Sequence, residues 1–299
     1  MNKLLLLVAF AMMVFACKKV EQSPAAPLVG EVGFIKVNLD TIHAAFDPRV
    51  QETSGLVKIG DTYWTHNDSG GEPNLYEFDL STGNVIRTVK INNVLNNDWE
   101  EVTVDSLYFY IGNFGNNLGR RKDLAVYKGT ISELLAQDEV DVELISFSYP
   151  DQDKFYYGYN HNHDCEAMIA HNENIYLFSK NWLDKRCKLY KIPSKPGNYE
   201  AKLISEFNSK GTITGAAFSP DKDELILLGY MPIPKQGFDP FVWKLSDWEG
   251  DDFLSGEKKR YDFYIRRQME AVVYQDERTL FISAEDENGS DPSLYKMNL

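Results

Sequence analysis

At 299 residues, 43% of them hydrophobic, the chain is long enough to bury one large core or two ordinary ones. Aromatic residues make up 13%, with 17 Tyr and 17 Phe, a balance that favours β structure. The formal charge of −14, with no Lys/Arg cluster to offset it, excludes nucleic acid as a partner, because a phosphate backbone would be repelled.

The first elements read as targeting and tether. Lys3 gives a short positive start, residues 4–15 form an apolar run, and the run ends at Val14-Phe15-Ala16-Cys17. That ending resembles a lipobox, so residues 1–16 are expected to be a lipoprotein signal peptide and Cys17 the lipidated residue. The run is short for a spanning helix, which needs about 20 apolar residues. Residues 17–32 lack apolar periodicity and are expected to be a flexible tether, with a β-propeller domain over residues 33–299.

Within the body, one motif recurs: Glu52-Thr53-Ser54-Gly55-Leu56-Val57, Asp98-Trp99-Glu100-Glu101-Val102-Thr103, Asp164-Cys165-Glu166-Ala167-Met168-Ile169, Ile213-Thr214-Gly215-Ala216-Ala217-Phe218 and Gln268-Met269-Glu270-Ala271-Val272-Val273. Each copy opens a run with strand alternation. In the first unit, residues 55–59, 62–66, 75–78 and 85–91 alternate as strands separated by turn residues, which makes a four-stranded meander.

A second repeat checks the first. Leu75-Tyr76-Glu77, Val126-Tyr127-Lys128, Leu189-Tyr190-Lys191, Val242-Trp243-Lys244 and Leu294-Tyr295-Lys296 share one pattern, with their aromatics 51, 63, 53 and 52 residues apart. A near-constant period with four strands in each is the signature of a β-propeller. Five blades are expected, with six as the alternative if the long second unit hides an extra meander. The fifth unit ends after its third strand, so residues 34–39 are expected to complete it and close the ring. Residues 132–137 read as a single helical turn in which Ser132 lacks a Glu at capping-box spacing. Cys165 and Cys187 fall on the first and third strands of one unit, two strand spacings apart, which is too far for a disulfide.

If the motifs begin innermost strands, their side chains converge on one channel mouth. The third motif position reads Ser54, Glu100, Glu166, Gly215, Glu270, and the first reads Glu52, Asp98, Asp164, Ile213, Gln268. The antiparallel second strands return His66, Asn67, Asp68, Asn113, Lys180, Asn181, Tyr230, Glu285 and Asp286 to the same mouth, and Arg266 precedes the fifth motif. Two carboxylates about 5 Å apart repel by about 3 kcal/mol at an effective dielectric near 20. So many in one funnel therefore require a cation, the nearby Lys180 and Arg266, or retained protons.

The candidate site is thus Glu52, Asp68, Asp98, Glu100, Asp164, Glu166, Lys180, Arg266, Glu270 and Glu285, with Glu100, Glu166 and Glu270 as metal ligands. Oxygen donors favour Ca2+ or another divalent cation, whereas His161 and His163 would draw Zn2+. The bland alternative has the glutamates bonded to backbone amides and the histidines on an exposed loop. Asn67-Asp68-Ser69-Gly70-Gly71 looks like the nucleophile loop of trypsin-like proteases, but no Ala-Ala-His-Cys stretch accompanies it, and a Gly-rich hairpin explains it.

Glu52-Thr53-Ser54-Gly55-Leu56, Asn67-Asp68-Ser69-Gly70, Leu75-Tyr76 through Asp79 and Gly83, and Asp98-Trp99-Glu100 together resemble the SdiA-regulated propeller family, and less closely the phytase-related esterase-like propellers. The resemblance covers the first two units well and later ones through Asp164-Cys165-Glu166 and Met269-Glu270-Ala271. It implies an exported propeller. Gly215 departs from it where a glutamate is expected. A more distant likeness is to gluconolactonase-type propellers, in which a Glu opening an inner strand ligates a divalent metal. Glu100, Glu166 and Glu270 occupy comparable places, but the Glu-Gly-Pro triplet is absent, so lactonase activity does not carry across.

These readings point to a bacterial envelope lipoprotein, periplasmic or on the outer-membrane surface, held to the membrane by lipid on Cys17. Its polar, acidic channel mouth would bind a small molecule or protein, with a divalent cation as cofactor. The competing expectation is a metal-dependent hydrolase of phosphoesters or lactones.

Overall fold

Each recurring motif opens the innermost strand of an antiparallel meander, and five meanders form a five-bladed β-propeller in the computed structural model. The structure describes residues 34–155, 157–286 and 289–299. The signal segment 1–16, Cys17 and the tether 17–32 lie outside the described residues.

Blade one comprises Thr53–Ile59, Thr62–Asn67, Asn74–Phe78 and Val85–Ile91. Blade two comprises Trp99–Val104, Tyr108–Asn113, Ala125–Thr130 and Glu143–Ser148, and blade three Cys165–His171, Asn174–Ser179, Cys187–Pro193 and Lys202–Phe207. Blade four contains Thr212–Phe218, Glu224–Ile233, Gly237–Ser246 and Glu257–Phe263. Blade five contains Met269–Tyr274, Thr279–Ala284 and Ser293–Asn298.

The closing strand is Asp40–His43, antiparallel to Ser293–Asn298, and not residues 34–39. The segment before it, Ile35–Val37, runs parallel to Glu257–Phe263 as a fifth strand of blade four. The expected single strand is therefore two, one for each of two blades. This follows a rule of the whole ring, in which the connection between a blade's third and fourth strands reaches back to the preceding blade. Glu139–Val140 pairs with the outer strand of blade one, and Gly197–Glu200 with that of blade two. Asp251 pairs with Lys191 of blade three, and the Gly83 carbonyl in blade one accepts from the Asp47 N–H beside blade five at 3.1 Å. Ile35–Val37, Glu139–Val140 and Gly197–Glu200 cover the outer edges of blades four, one and two, which would otherwise be open to pairing.

The long second unit contains no sixth blade. Its extra length is the helix Ile131–Ala136, the pairing strand Glu139–Val140 and the connection to blade three. Thr130, not Ser132, caps the helix: its hydroxyl accepts from the Glu133 N–H at 3.3 Å and contacts the Glu133 carboxylate at 2.6 Å. Thr130 and Glu133 have the three-residue spacing of a capping box.

Packing lies between blades. The repeat aromatics Tyr76, Tyr127, Tyr190, Trp243 and Tyr295 are all buried. Blades one and two share Val57, Trp64, Val102 and Phe109, while blades five and one share Leu56, Tyr63, Ala271 and Phe281. Blades three and four meet through edge-to-face rings, Tyr176 on Phe253 at 4.8 Å and His171 on Phe253 at 6.0 Å. Cys165 and Cys187 are buried free thiols on the first and third strands of blade three, as the strand spacing requires.

Candidate functional site: an acidic channel mouth

All five inner strands carry a register shift at the same motif position, between Thr53 and Leu56, Trp99 and Glu101, Cys165 and Ala167, Ile213 and Gly215, and Met269 and Ala271. A β-bulge adds an unpaired residue and re-aims its side chain. The bulged residues are Glu100, Glu166, Thr214 and Glu270, with Ser54 and Gly55 in blade one. The residue of blade four equivalent to the glutamates is therefore Thr214, not Gly215, and Thr212 takes the place assigned to Ile213.

The two hydroxyl members of this ring are structural. Ser54 Oγ donates to the Glu100 carbonyl at 2.7 Å and Thr214 Oγ1 to the Met269 carbonyl at 2.8 Å, each tying its blade to the next. The residue after Ser54, Glu166, Thr214 and Glu270 is small, Gly55, Ala167, Gly215 or Ala271. Gly55 is required there, because a Cβ would lie 2.4 Å from both His66 Nε2 and the Val102 nitrogen. Blade two alone places a large residue here, Glu101. Its buried carboxylate accepts from the Val102 N–H at 3.0 Å and from the Ala216 N–H of blade four at 3.2 Å, and burial pushes its pKa well above the carboxylate range.

The expected metal set, Glu100, Glu166 and Glu270, is redistributed. Glu166 pairs with Lys180, both buried, and Lys180 also lies over the Trp182 ring at 4.9 Å and the Tyr230 ring at 5.2 Å. Burial opposes the Lys180 ammonium, but Glu166, Tyr230, Glu270 and Asp164 together outweigh it and hold its pKa well above the ordinary value. Glu270 accepts from Gln268 Nε2 at 2.6 Å. The carboxylates that do converge are Asp68, Asp98 and Glu100, each offering an oxygen within 4.8 Å of the others.

Two observations make this trio a candidate cation site. Asp68 Oδ1 and Glu100 Oε1 are buried without a hydrogen-bond partner, and Glu100 is only 3% exposed. Beside them Gly115 leaves room for the carboxylates, since a Cβ there would stand 1.9 Å from Glu100 Oε1 and 2.6 Å from Asp98 Oδ2. Oxygens on opposite sides of a Ca2+ ion with bonds of roughly 2.4 Å are about 4.8 Å apart, so the donor set fits a hard divalent cation. Without one, burial raises Asp68 to about 7 with help from Asp98, and raises Asp98 to about 6 with help from Asp164. Burial, then Asp68 and Glu166, push Glu100 well above its ordinary value.

Neighbouring groups hold the trio in place. Asn96 donates from Nδ2 to the Asn67 carbonyl at 3.0 Å and accepts the Trp99 N–H at 3.1 Å, joining the Asp68 loop to the strand bearing Glu100. Arg121 lies 3.8 Å from Asp98 and donates to the Gly115 carbonyl at 2.8 Å. Asp164 accepts from the Asn116 N–H at 2.6 Å and the Trp182 indole at 2.7 Å, so its oxygens are already used. Glu285 stands near Asp68, and burial, then Asp68, raise it to about 8.

Other residues assigned to the mouth have separate roles. Glu52 is exposed, and its carbonyl accepts the Asp68 N–H at 2.8 Å. Arg266 bonds Asp239 at 3.1 Å and Gln236 on the extended hairpin of blade four, away from the carboxylates. His66 is buried, accepts the Gly55 N–H at 3.2 Å and is held near pKa 4 by burial, so it stays neutral. His161 bonds the Asn117 carbonyl at 3.0 Å and stacks on His163. Asn96, Gly115, Arg121 and Trp182 belong to the site without having been marked by the repeat, since each comes from a connection or turn that differs from blade to blade.

No family model matches the chain, and no curated protein matches its sequence. Among solved structures, an exo-β-1,3-galactanase from Phanerochaete chrysosporium superposes with a TM-score of 0.56 at 10% identity, over 88% of this chain and 64% of that one. A GH62 α-L-arabinofuranosidase catalytic domain from Coprinopsis cinerea gives 0.52 at 11% identity, over 88% and 97%. A glucose dehydrogenase gives 0.50 at 10%, over 88% and 100%. At these identities the likeness to β-propeller enzymes is one of fold.

Proposed function

We propose that the acidic mouth binds a divalent cation of the Ca2+ class through Asp68, Asp98 and Glu100, and through it a small oxygen-bearing ligand. The observation that carries this reading is Glu100 Oε1, buried and unpartnered among carboxylates within 4.8 Å. A buried charge without a partner is costly, and a bound cation removes that cost at all three groups together. In this reading the propeller is the binding domain of a bacterial envelope lipoprotein, lipidated at Cys17 and carried on the 17–32 tether. Replacing Cys17 by Ser should abolish incorporation of labelled palmitate and release the protein from the membrane fraction.

The cation is tested by calorimetric titration of the purified 33–299 domain with Ca2+, Mg2+, Mn2+ and Zn2+. One equivalent of a hard cation should bind and raise the melting temperature, and Glu100→Gln should weaken binding at least tenfold while the domain stays folded. Stoichiometric binding unchanged in Glu100→Gln would refute the assignment.

A second reading, hydrolysis of a phosphoester or lactone, is favoured by the protonation of Glu270 and Glu285. Burial holds both near pKa 8, so each retains its proton at neutral pH and could act as a general acid. The cation would polarise the scissile group. Turnover of a phosphoester and lactone panel that is lost in Glu270→Gln would establish this reading over simple binding.

A further inference from the structure

The channel has a second opening. The inner strands begin at the acidic mouth and end on the opposite face, where all five blades line a cavity of about 360 Å3. That volume lies within the roughly 300–1,000 Å3 of small-molecule sites. Its apolar lining includes Val57, Ala170, Ala217 and Val273, with Val104 and Phe218 half-buried. The Glu101 carboxylate is engaged with the backbone of two lining residues, Val102 and Ala216, and is not itself among the residues that line the cavity.

The rim has the opposite charge to the first mouth. Lys58 and Lys222 line it with no carboxylate among the lining residues, and neither is paired with a carboxylate among the described residues. Lys58 Nζ uses one hydrogen on the Gln275 carbonyl at 2.8 Å and keeps two free. Gln275 also lines the cavity, and its side-chain Oε1 is buried without a partner.

We propose that this opening is a second, cation-independent site for a small amphiphilic anion, a molecule with an apolar chain and a terminal carboxylate. The chain lies against this apolar lining, where it leaves water. The carboxylate takes charge-assisted hydrogen bonds from Lys58 and Lys222. Charge favours this opening, since two lysines and no carboxylate line it.

The probe is dodecanoate, followed by calorimetry and by displacement of the fluorescent sulfonate 8-anilinonaphthalene-1-sulfonate from the 33–299 domain. One equivalent should bind, in EDTA as well as in Ca2+, and Glu100→Gln should not alter it. The double variant Lys58→Glu/Lys222→Glu should weaken binding at least tenfold with an unchanged melting curve. Val104→Trp, which fills the half-buried rim, should block it. Absence of binding, binding unaffected by both variants, or binding lost in Glu100→Gln would each overturn the proposal. Because the cation site is read separately by its own titration, failure here leaves that result intact.

Discussion

Glu100 and Glu166 stand at the same bulged position of adjacent blades, yet their surroundings give them different work. Glu166 meets Lys180, whose ammonium is fixed between Trp182 and Tyr230, whereas Glu100 meets Asp68 and Asp98. A buried pair gains little net stability, but breaking it strands a charge. Lys180→Met should therefore cost about 3–5 kcal/mol at pH 8 in urea unfolding. The loss should shrink as pH falls, because a proton on the stranded Glu166 carboxyl, whose pKa burial raises, removes its charge, and Glu166→Gln/Lys180→Met should recover most of it. An equal loss in the double variant would show that Lys180 acts through something other than Glu166. None of this difference was legible in the repeat, which writes both residues as the same letter. Their partners come from the residue after the second strand of blade three and from loops of blades one and two.

At the scale of the element, the decisive feature is the two-part N-terminal strand. Ile35–Val37 only extends blade four, while Asp40–His43 supplies the missing fourth strand of blade five. Deleting residues 34–38 should lower the melting temperature modestly. Deleting residues 34–43 should destabilise the whole domain, because it exposes Ser293–Asn298 and the core shared by blades five and one. Equal melting curves for the two deletions would contradict this division. The sequence pattern showed that a strand was available here but merged two, since the break at Asn38 and Leu39 carries no Gly or Pro. In the same way, the alignment of motif four slipped by one residue. Thr214 and Gly215 are both small, and only the register of Ile213 on Gly229 and Gly215 on Leu228 identifies the bulge.

For the whole molecule, the collected carboxyls set the pH response. Glu270 and Glu285 have ordinary values of 4.5 and are raised in the fold to about 8. The folded state thus binds more protons than the unfolded state across this interval, and stability falls as pH rises from about 4.5 to about 8. Their contribution is complete below 4.5 and lost above 8. Melting in EDTA should accordingly be highest on the acid side of this window, and saturating Ca2+ should flatten the slope by favouring the ionised forms of Asp68, Asp98 and Glu100. A melting temperature that rises with pH in EDTA would contradict the burial of these groups.

The sequence by itself determined the five blades, their four-stranded units and the free thiols. These follow from period and alternation, which a repeated fold writes into every copy. Only the tertiary structure decided which carboxylates meet, because Asp68, Asp98 and Glu100 come from two blades and their spacing depends on the Asn96 bridge and the small volume of Gly115. It also decided that the channel has two chemically opposite ends, since charge that is dispersed along the chain acquires a direction only when five strands point the same way.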